Sequence, residues 1–143
     1  MRALCKQEGL NGLFIIGCMH DSDWDLRVMK EEGYDAVSGY NYPWAGAGPD
    51  DKRVPYDEML QGLLRIWEGI VDKGYDYIVP TTPGWDPRPW HGSNTLVRIN
   101  TTPSSFEKML LMAKDFGERN NLRKMAIIEA WNEWGEGSYI EPS

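Results

Sequence analysis

The chain has 143 residues, a formal charge of −7 and seven tryptophans. That length suits one ordinary domain, able to bury roughly two thirds of its unfolded surface. The acidic balance argues against nucleic acid or an anionic membrane as the main partner, and no apolar run reaches the roughly eighteen residues that a membrane-inserted helix requires.

The N-terminal stretch MRALCKQEGL lacks the apolar core of a signal peptide. That carries no weight if Met1 is an internal position of a longer protein, so the compartment stays open. Cys5 and Cys18 have no metal-ligand spacing and read as free structural thiols. The first strand is expected over Leu13–Cys18. His20 and Asp21 follow it, at the start of a short helix in which Ser22 and Asp25 have capping-box spacing and Leu26 and Met29 face inward.

A faint repeat then appears. EEGYDAVSGY (31–40) and DKGYDYIVPT (73–82) share a charged pair, Gly-Tyr-Asp and an apolar run. Gly33 and Gly74 are placed to end a helix in the left-handed conformation, and strands are expected over Ala36–Gly39 and Tyr77–Pro80. The helix before the second copy is marked by Met59, Leu60, Leu63, Leu64, Trp67, Ile70 and Val71 at helical spacing. A third helix is expected near Pro103, with Ser104 and Glu107 as its capping box and Phe106, Met109, Leu110, Ala113 and Phe116 as its buried stripe. Met125–Ala130 is the last strand, with Ala126, Ile128 and Ala130 on one small apolar face suited to a covering helix. The order is βαβαβαβ, which implies parallel strands with crossover helices.

Two architectures fit that order. An open doubly wound sheet usually carries a glycine-rich phosphate turn after its first strand, and CMHDSD stands there instead. An eight-stranded βα barrel carries long, chemically varied loops after its strands. HDSDWD, YNYPWAGAGPDDKRVP, TTPGWDPRPWHGSNT and NEWGEGSYIEP each follow a strand candidate and mix aromatic with polar residues. The fold expected is therefore α/β, the C-terminal part of a (β/α)8 TIM-type barrel. Residues 1–143 would form a single partial catalytic domain whose N-terminal half lies outside this sequence.

The densest chemistry lies in EAWNEWGEGSYIEP, which holds four glutamates, two tryptophans and two glycines. On a continued strand Glu133 and Glu136 would point to opposite faces, about 10 Å apart. In a helical turn the same spacing brings the Cβ atoms to about 5–6 Å, and Gly135 and Gly137 make such a turn easy. Two carboxylates beside one bond suit glycoside hydrolysis, one protonated to serve the leaving oxygen and one ionised as base or nucleophile. Trp131 and Trp134 could raise one pKa by desolvation and offer apolar faces to a sugar ring. The competing reading is a solvated acidic turn with both indoles in the core.

AWNEWGEGSYIEP resembles the closing motif of the glycoside hydrolase family 99-like proteins, including the WbsX-like group from bacterial polysaccharide loci. The resemblance extends through GYDAVSGYNYP, PTTPGWDPRPW and NTTPSSFEKML, and so covers most of the chain. It implies an eight-stranded barrel and a retaining attack on an α-linked glycan, typically a mannoside, without metal or cofactor. It also implies roles for the glutamates. Glu133 matches the residue that deprotonates the sugar's 2-hydroxyl to give an anhydro-sugar intermediate, and Glu136 matches the residue that acts as acid and then base. Gly135 departs from the pattern, since family 99 enzymes commonly carry histidine there, so this chain lacks that side chain as a sugar contact and as a tuner of Glu136.

The expected partner is a carbohydrate. Tyr40, Asn41, Tyr42 and Trp44 are candidate sugar contacts, because they follow a strand where a barrel keeps its substrate loops. Trp85, Asp86 and Arg88 could wall a subsite, or Asp86 and Arg88 could form a structural pair. Glu129 could orient Glu133 or Glu136 or share a proton with one of them. Trp131, Asn132 and Trp134 complete the set, while His91 reads as a loop residue and Glu141 as a structural acceptor. Three functions compete on these residues: a retaining glycosidase, a polysaccharide-building transferase using the same carboxylates, and a non-catalytic carbohydrate-binding domain.

Overall fold

A computed structural model of the chain describes residues 1–142. The elements in order are α1 (Arg2–Gln7), β1 (Ile16–Met19), α2 (Asp23–Glu31), β2 (Ala36–Gly39), β3 (Arg53–Pro55), α3 (Tyr56–Asp72), β4 (Val79–Thr81), α4 (Arg88–His91), β5 (Val97–Ile99), α5 (Pro103–Arg119), β6 (Ala126–Ile128), β7 (Asn132–Glu133), a 3₁₀ turn (Trp134–Glu136) and β8 (Ser138–Tyr139).

The sequence explains most helix ends. Ser22 caps α2, accepting the Asp25 amide at 3.1 Å while its hydroxyl donates to the Asp25 carboxylate at 2.5 Å. Asp23 and Asp25 in the first turn also suit the positive end of the helix dipole. Gly33 and Gly74 both adopt positive φ, at 79° and 78°, so the repeated Gly-Tyr-Asp marks two equivalent helix-to-strand turns. The start of α5 differs from expectation. Thr102 is the cap and Ser105 its reciprocal partner, not Ser104 and Glu107. Proline has no amide proton to lose at the first helical position, so Pro103 begins the helix and Ser104 falls inside it.

Strands β1 and β2 pair in parallel, from Ile16 opposite Ala36 to Met19 opposite Gly39. A parallel bridge between Val37 and Tyr77 carries the sheet across to the β4 segment, and β4 pairs in parallel with β6. The spatial order is thus β1, β2, β4, β6, all parallel, with α2, α3 and α5 in the connections. Two further pairs lie in the loops. Strands β3 and β5 pair in parallel, and β7 and β8 form a short antiparallel hairpin around the 3₁₀ turn.

The core lies between this sheet and helices α3 and α5. Met59, Leu63, Trp67 and Ile70 of α3 are fully buried against Met109 and Phe116 of α5. The Trp67 and Phe116 rings meet at 5.4 Å between centroids, tilted by 57°. The expected stripe on α5 is trimmed on one side, since Leu110 is exposed. The last strand departs further. Ala126 and Ile128 were expected beneath a helix, yet both are exposed and pairing stops at Ile128. Among the described residues no element covers that face of β6.

Candidate active site

The chain leaves β2 at Gly39 and turns sharply. Tyr42 sits at φ 51° and folds its phenol back beneath the strand. A methyl at position 39 would run into that ring, so Gly39 is required by the close approach. Tyr42 and Asn41 are consequently buried, while Tyr40 and Trp44 keep 48 % and 42 % of their surface exposed. Trp44 stands edge-on to Tyr42 with centroids 5.9 Å apart, and close to His20.

After β6 the chain passes Glu129, which is buried. Its Oε2 accepts from Asn41 Nδ2 at 3.2 Å and from Ser138 Oγ at 2.8 Å. Its Oε1 has no protein partner. Asn41 follows β2 and Ser138 opens β8, so Glu129 ties together two strand ends and the closing hairpin.

Glu133 then precedes the 3₁₀ turn and Glu136 ends it, with Gly137 at φ 62° closing the turn. The chain therefore does not continue as a strand through this motif. Tyr40 donates its hydroxyl to Glu136 Oε2 at 3.3 Å, linking the loop after β2 to the turn after β6. Burial raises the Glu136 carboxyl above the ordinary glutamate range, and the negative charges of Glu129 and Glu133 raise it further. The Tyr40 hydrogen bond and the nearby His91 act in the opposite sense. The Tyr40 phenol is itself pushed above its ordinary value, by burial first and then by the charges of Glu129, Glu136 and Glu133. It stays a hydrogen-bond donor throughout the physiological range. Tyr40, Glu129, Glu133 and Glu136 thus share one electrostatic environment.

The loop after β4 covers the turn from another side. The Asp86 amide donates to Glu136 O at 2.6 Å, and Arg88 grips the Asp86 carboxylate through Nε at 2.7 Å and Nη2 at 2.5 Å. That guanidinium holds the Asp86 carboxyl below the usual range. Trp85 is half-buried and accepts the Arg98 amide on its carbonyl at 2.8 Å. Trp131, Asn132 and Trp134 are all exposed, both indoles at 60 %, so they do not serve as core side chains.

Several participants escaped the sequence reading. Arg98 is buried on β5, and its Nη2 donates to both Pro43 O and Ala45 O at 2.7 Å, holding the loop that follows β2. Its only signal was a charge inside the apolar run Val97–Ile99. Ser138 and Thr82, 2.6 Å apart through their hydroxyls, gave no signal at all. Trp90 packs on Gly135 and His91 lies near Glu136, contacts between segments too distant in sequence to read.

Over residues 1–143 the sequence matches the family described as Glycosyltransferase WbsX. The chain belongs to that family. Two strains of Xanthomonas campestris pv. campestris each have a protein described as uncharacterized, WxcX, that is 28 % identical over 82 residues. The match takes in 56 % of this WbsX-family chain and 12 % of each relative. Among solved structures, the GH99 endo-α-mannosidase from Bacteroides thetaiotaomicron superposes with a TM-score of 0.55 at 24 % identity. That likeness covers 92 % of this chain and 35 % of the mannosidase. A second structure of that enzyme, with bis-tris propane, gives the same score and identity, with 37 % of its length covered. The chain therefore spans about an eighth of its curated relatives and about a third of its structural ones. The likeness extends to the fold, α/β with parallel strands, and the family is one of glycan-active enzymes.

Proposed function

We propose that this chain is the C-terminal part of a (β/α)8 barrel and carries the two acid–base residues of a retaining enzyme acting on an α-linked glycan. The observation behind this is the meeting of Tyr40, after β2, with Glu136, after β6, beside Glu129 and Glu133, in surroundings that raise the Glu136 carboxyl. In α/β barrels the C-terminal strand ends are where chemistry is housed.

Glu133 takes the proton of the sugar's 2-hydroxyl as that oxygen attacks C1, following the role implied by the family 99 resemblance. The bond from C1 to the leaving oxygen breaks, and Glu136 gives that oxygen its proton. Water then attacks C1 of the anhydro-sugar, Glu136 takes the water's proton, and the 2-oxygen recovers its own from Glu133. Two inversions leave the configuration retained. Tyr40 steadies the Glu136 carboxyl, and Glu129 supplies negative charge that helps Glu136 remain protonated. Trp44, Trp131 and Trp134 offer exposed indoles to sugar rings, with Asn132 beside them. Asn41 serves through Glu129. Tyr42 serves by seating the loop, Trp85 by bracing β5, and the Asp86–Arg88 pair by shaping the wall behind Glu136.

The family description favours a second reading, transfer to an acceptor sugar instead of water by the same carboxylates. Product analysis in the full-length protein, with and without acceptor, separates the two. In that protein Glu136→Gln is expected to lower turnover by about two to four decades, with a smaller loss on a glycoside whose leaving group scarcely needs a proton. Glu133→Gln is expected to slow both substrates alike. Unchanged turnover in both variants would remove Glu133 and Glu136 from the chemistry, whereas no turnover in the parent, with glycan binding unchanged in both variants, would leave a carbohydrate-binding role.

A further inference from the structure

Helix α4 is a single turn with no buried residue, yet it is fixed in place. The Asp86 amide bonds the Glu136 carbonyl at 2.6 Å, and the Asp86–Arg88 pair stiffens the entry to the helix. Gly137 lies so close that a methyl there would stand 2.8 Å from Asp86 Cβ. The same crowding recurs one step along. A methyl on Gly135 would stand within 2.6 Å of Trp90 Cζ2 and would also run into Cε2 and Nε1. One flank of the indole therefore lies against the backbone of the residue that precedes Glu136.

The other flank is open, since Trp90 is 63 % exposed. An indole whose task was to cover the turn would be buried by it. Leaving most of a large apolar ring in water costs free energy that binding could recover. The ring is held by a short helix whose His91 is close enough to Glu136 to influence its charge. It thus borders the proton donor, and the group that receives that proton is the sugar on the leaving side of the bond.

We infer that Trp90 is the stacking platform for the leaving-group sugar, and that Gly135 is the notch admitting its indole to that position. This rests on the reading of Glu136 as proton donor. The ligand class is a pyranose ring presenting an apolar C–H face. Gly135 is then a determinant of specificity: any side chain there displaces the indole and removes the platform.

The test uses the full-length protein and two probes, an α-linked mannotriose and the α-fluoride of mannobiose, which carries no ring on its leaving side. Trp90→Ala is expected to lower kcat/KM on the mannotriose about tenfold, with a loss at least fivefold smaller on the fluoride. Trp90→Phe recovers most of the activity. Gly135→Ala reproduces the Trp90→Ala pattern, and the double variant is no worse than either single one. Equal losses on both probes would overturn the platform and leave Trp90 as a brace for the turn. So would wild-type behaviour of Trp90→Ala. Failure of the underlying reading shows separately, as a Glu136→Gln variant that still cleaves mannotriose at the wild-type rate.

Discussion

Glu136 is where burial and charge act most clearly on one side chain. Burial and the charges of Glu129 and Glu133 all disfavour its ionised form, and together they outweigh Tyr40 and His91. A proton donor is active only while protonated, so the alkaline limb of kcat/KM follows its pKa and extends above the range of an ordinary glutamate. Glu129→Gln removes one of the opposing charges and is expected to move that limb to lower pH. A limb that stays put or moves upward would show that Glu129 does not act on Glu136. Stability carries the same sign. A carboxyl raised in the folded state stabilises below its unfolded pKa, and that contribution is lost as pH rises through the folded value. Glu136→Gln should therefore raise Tm relative to the parent at pH 7 and leave the two equal at pH 3. Thermal melts at both pH values check this; a difference that persists at pH 3 would point to packing instead.

The elements around the site are set by close backbone approaches as much as by side chains. Gly62 of α3 faces the loop after β2, and a methyl there would stand 2.8 Å from Gly46 Cα and closer still to the Gly46 amide and the Ala45 carbonyl carbon. Backbone cannot step aside as a side-chain tip can. Gly62→Ala is expected to cost about 1–3 kcal/mol and to loosen residues 42–47, read as a lower Tm and faster amide exchange there. Arg98→Lys should loosen the same loop without that steric cost. Burial already lowers the Arg98 guanidinium to about 10, and a lysine cannot reproduce its fork onto Pro43 and Ala45. Unchanged exchange in both variants would mean that the loop is held elsewhere. These contacts also show what was readable beforehand. The stripe of α3, the Ser22 cap and the paired Gly-Tyr-Asp turns are local, within a few residues, and spacing alone reveals them. The gathering of Glu133 and Glu136 into a turn was legible as a possibility, because glycines permit it without compelling it. The β3–β5 pairing, the Arg98 fork and the seat of Trp90 on Gly135 join segments some forty or more residues apart. No periodicity records such contacts. The end of β6 departs from expectation for a related reason: alternation shows which faces a strand has, not which neighbour covers them.

At the scale of the whole molecule, the proposed barrel makes its sharpest demand on what lies beside this chain. Among the described residues β1 pairs only with β2 and β6 only with β4, so the sheet presents two open edges. Unpaired strand edges invite pairing with other chains. Apolar surface lies near both: Phe14 before β1 is 42 % exposed, and Met125, Ile128 and Trp131 around β6 are 53 %, 41 % and 60 % exposed. A groove of about 480 Å³ between α5 and β6, floored by Val79, Ala113 and Leu122, adds to it. In a barrel, further strands and helices cover such surfaces and wall the substrate cleft. With water on that side, Glu136 would lose part of the burial that raises it, and a sugar would find one wall instead of two. Residues 1–143 expressed alone are therefore expected to associate and to hydrolyse glycans no faster than background, even with their parallel strands formed. Sedimentation velocity at several concentrations, with product analysis on α-linked mannotriose, tests both halves of the expectation. A soluble monomer that cleaves the glycan would show that the four parallel strands suffice for the site, and the barrel proposal would be withdrawn while the roles of Glu133 and Glu136 stood.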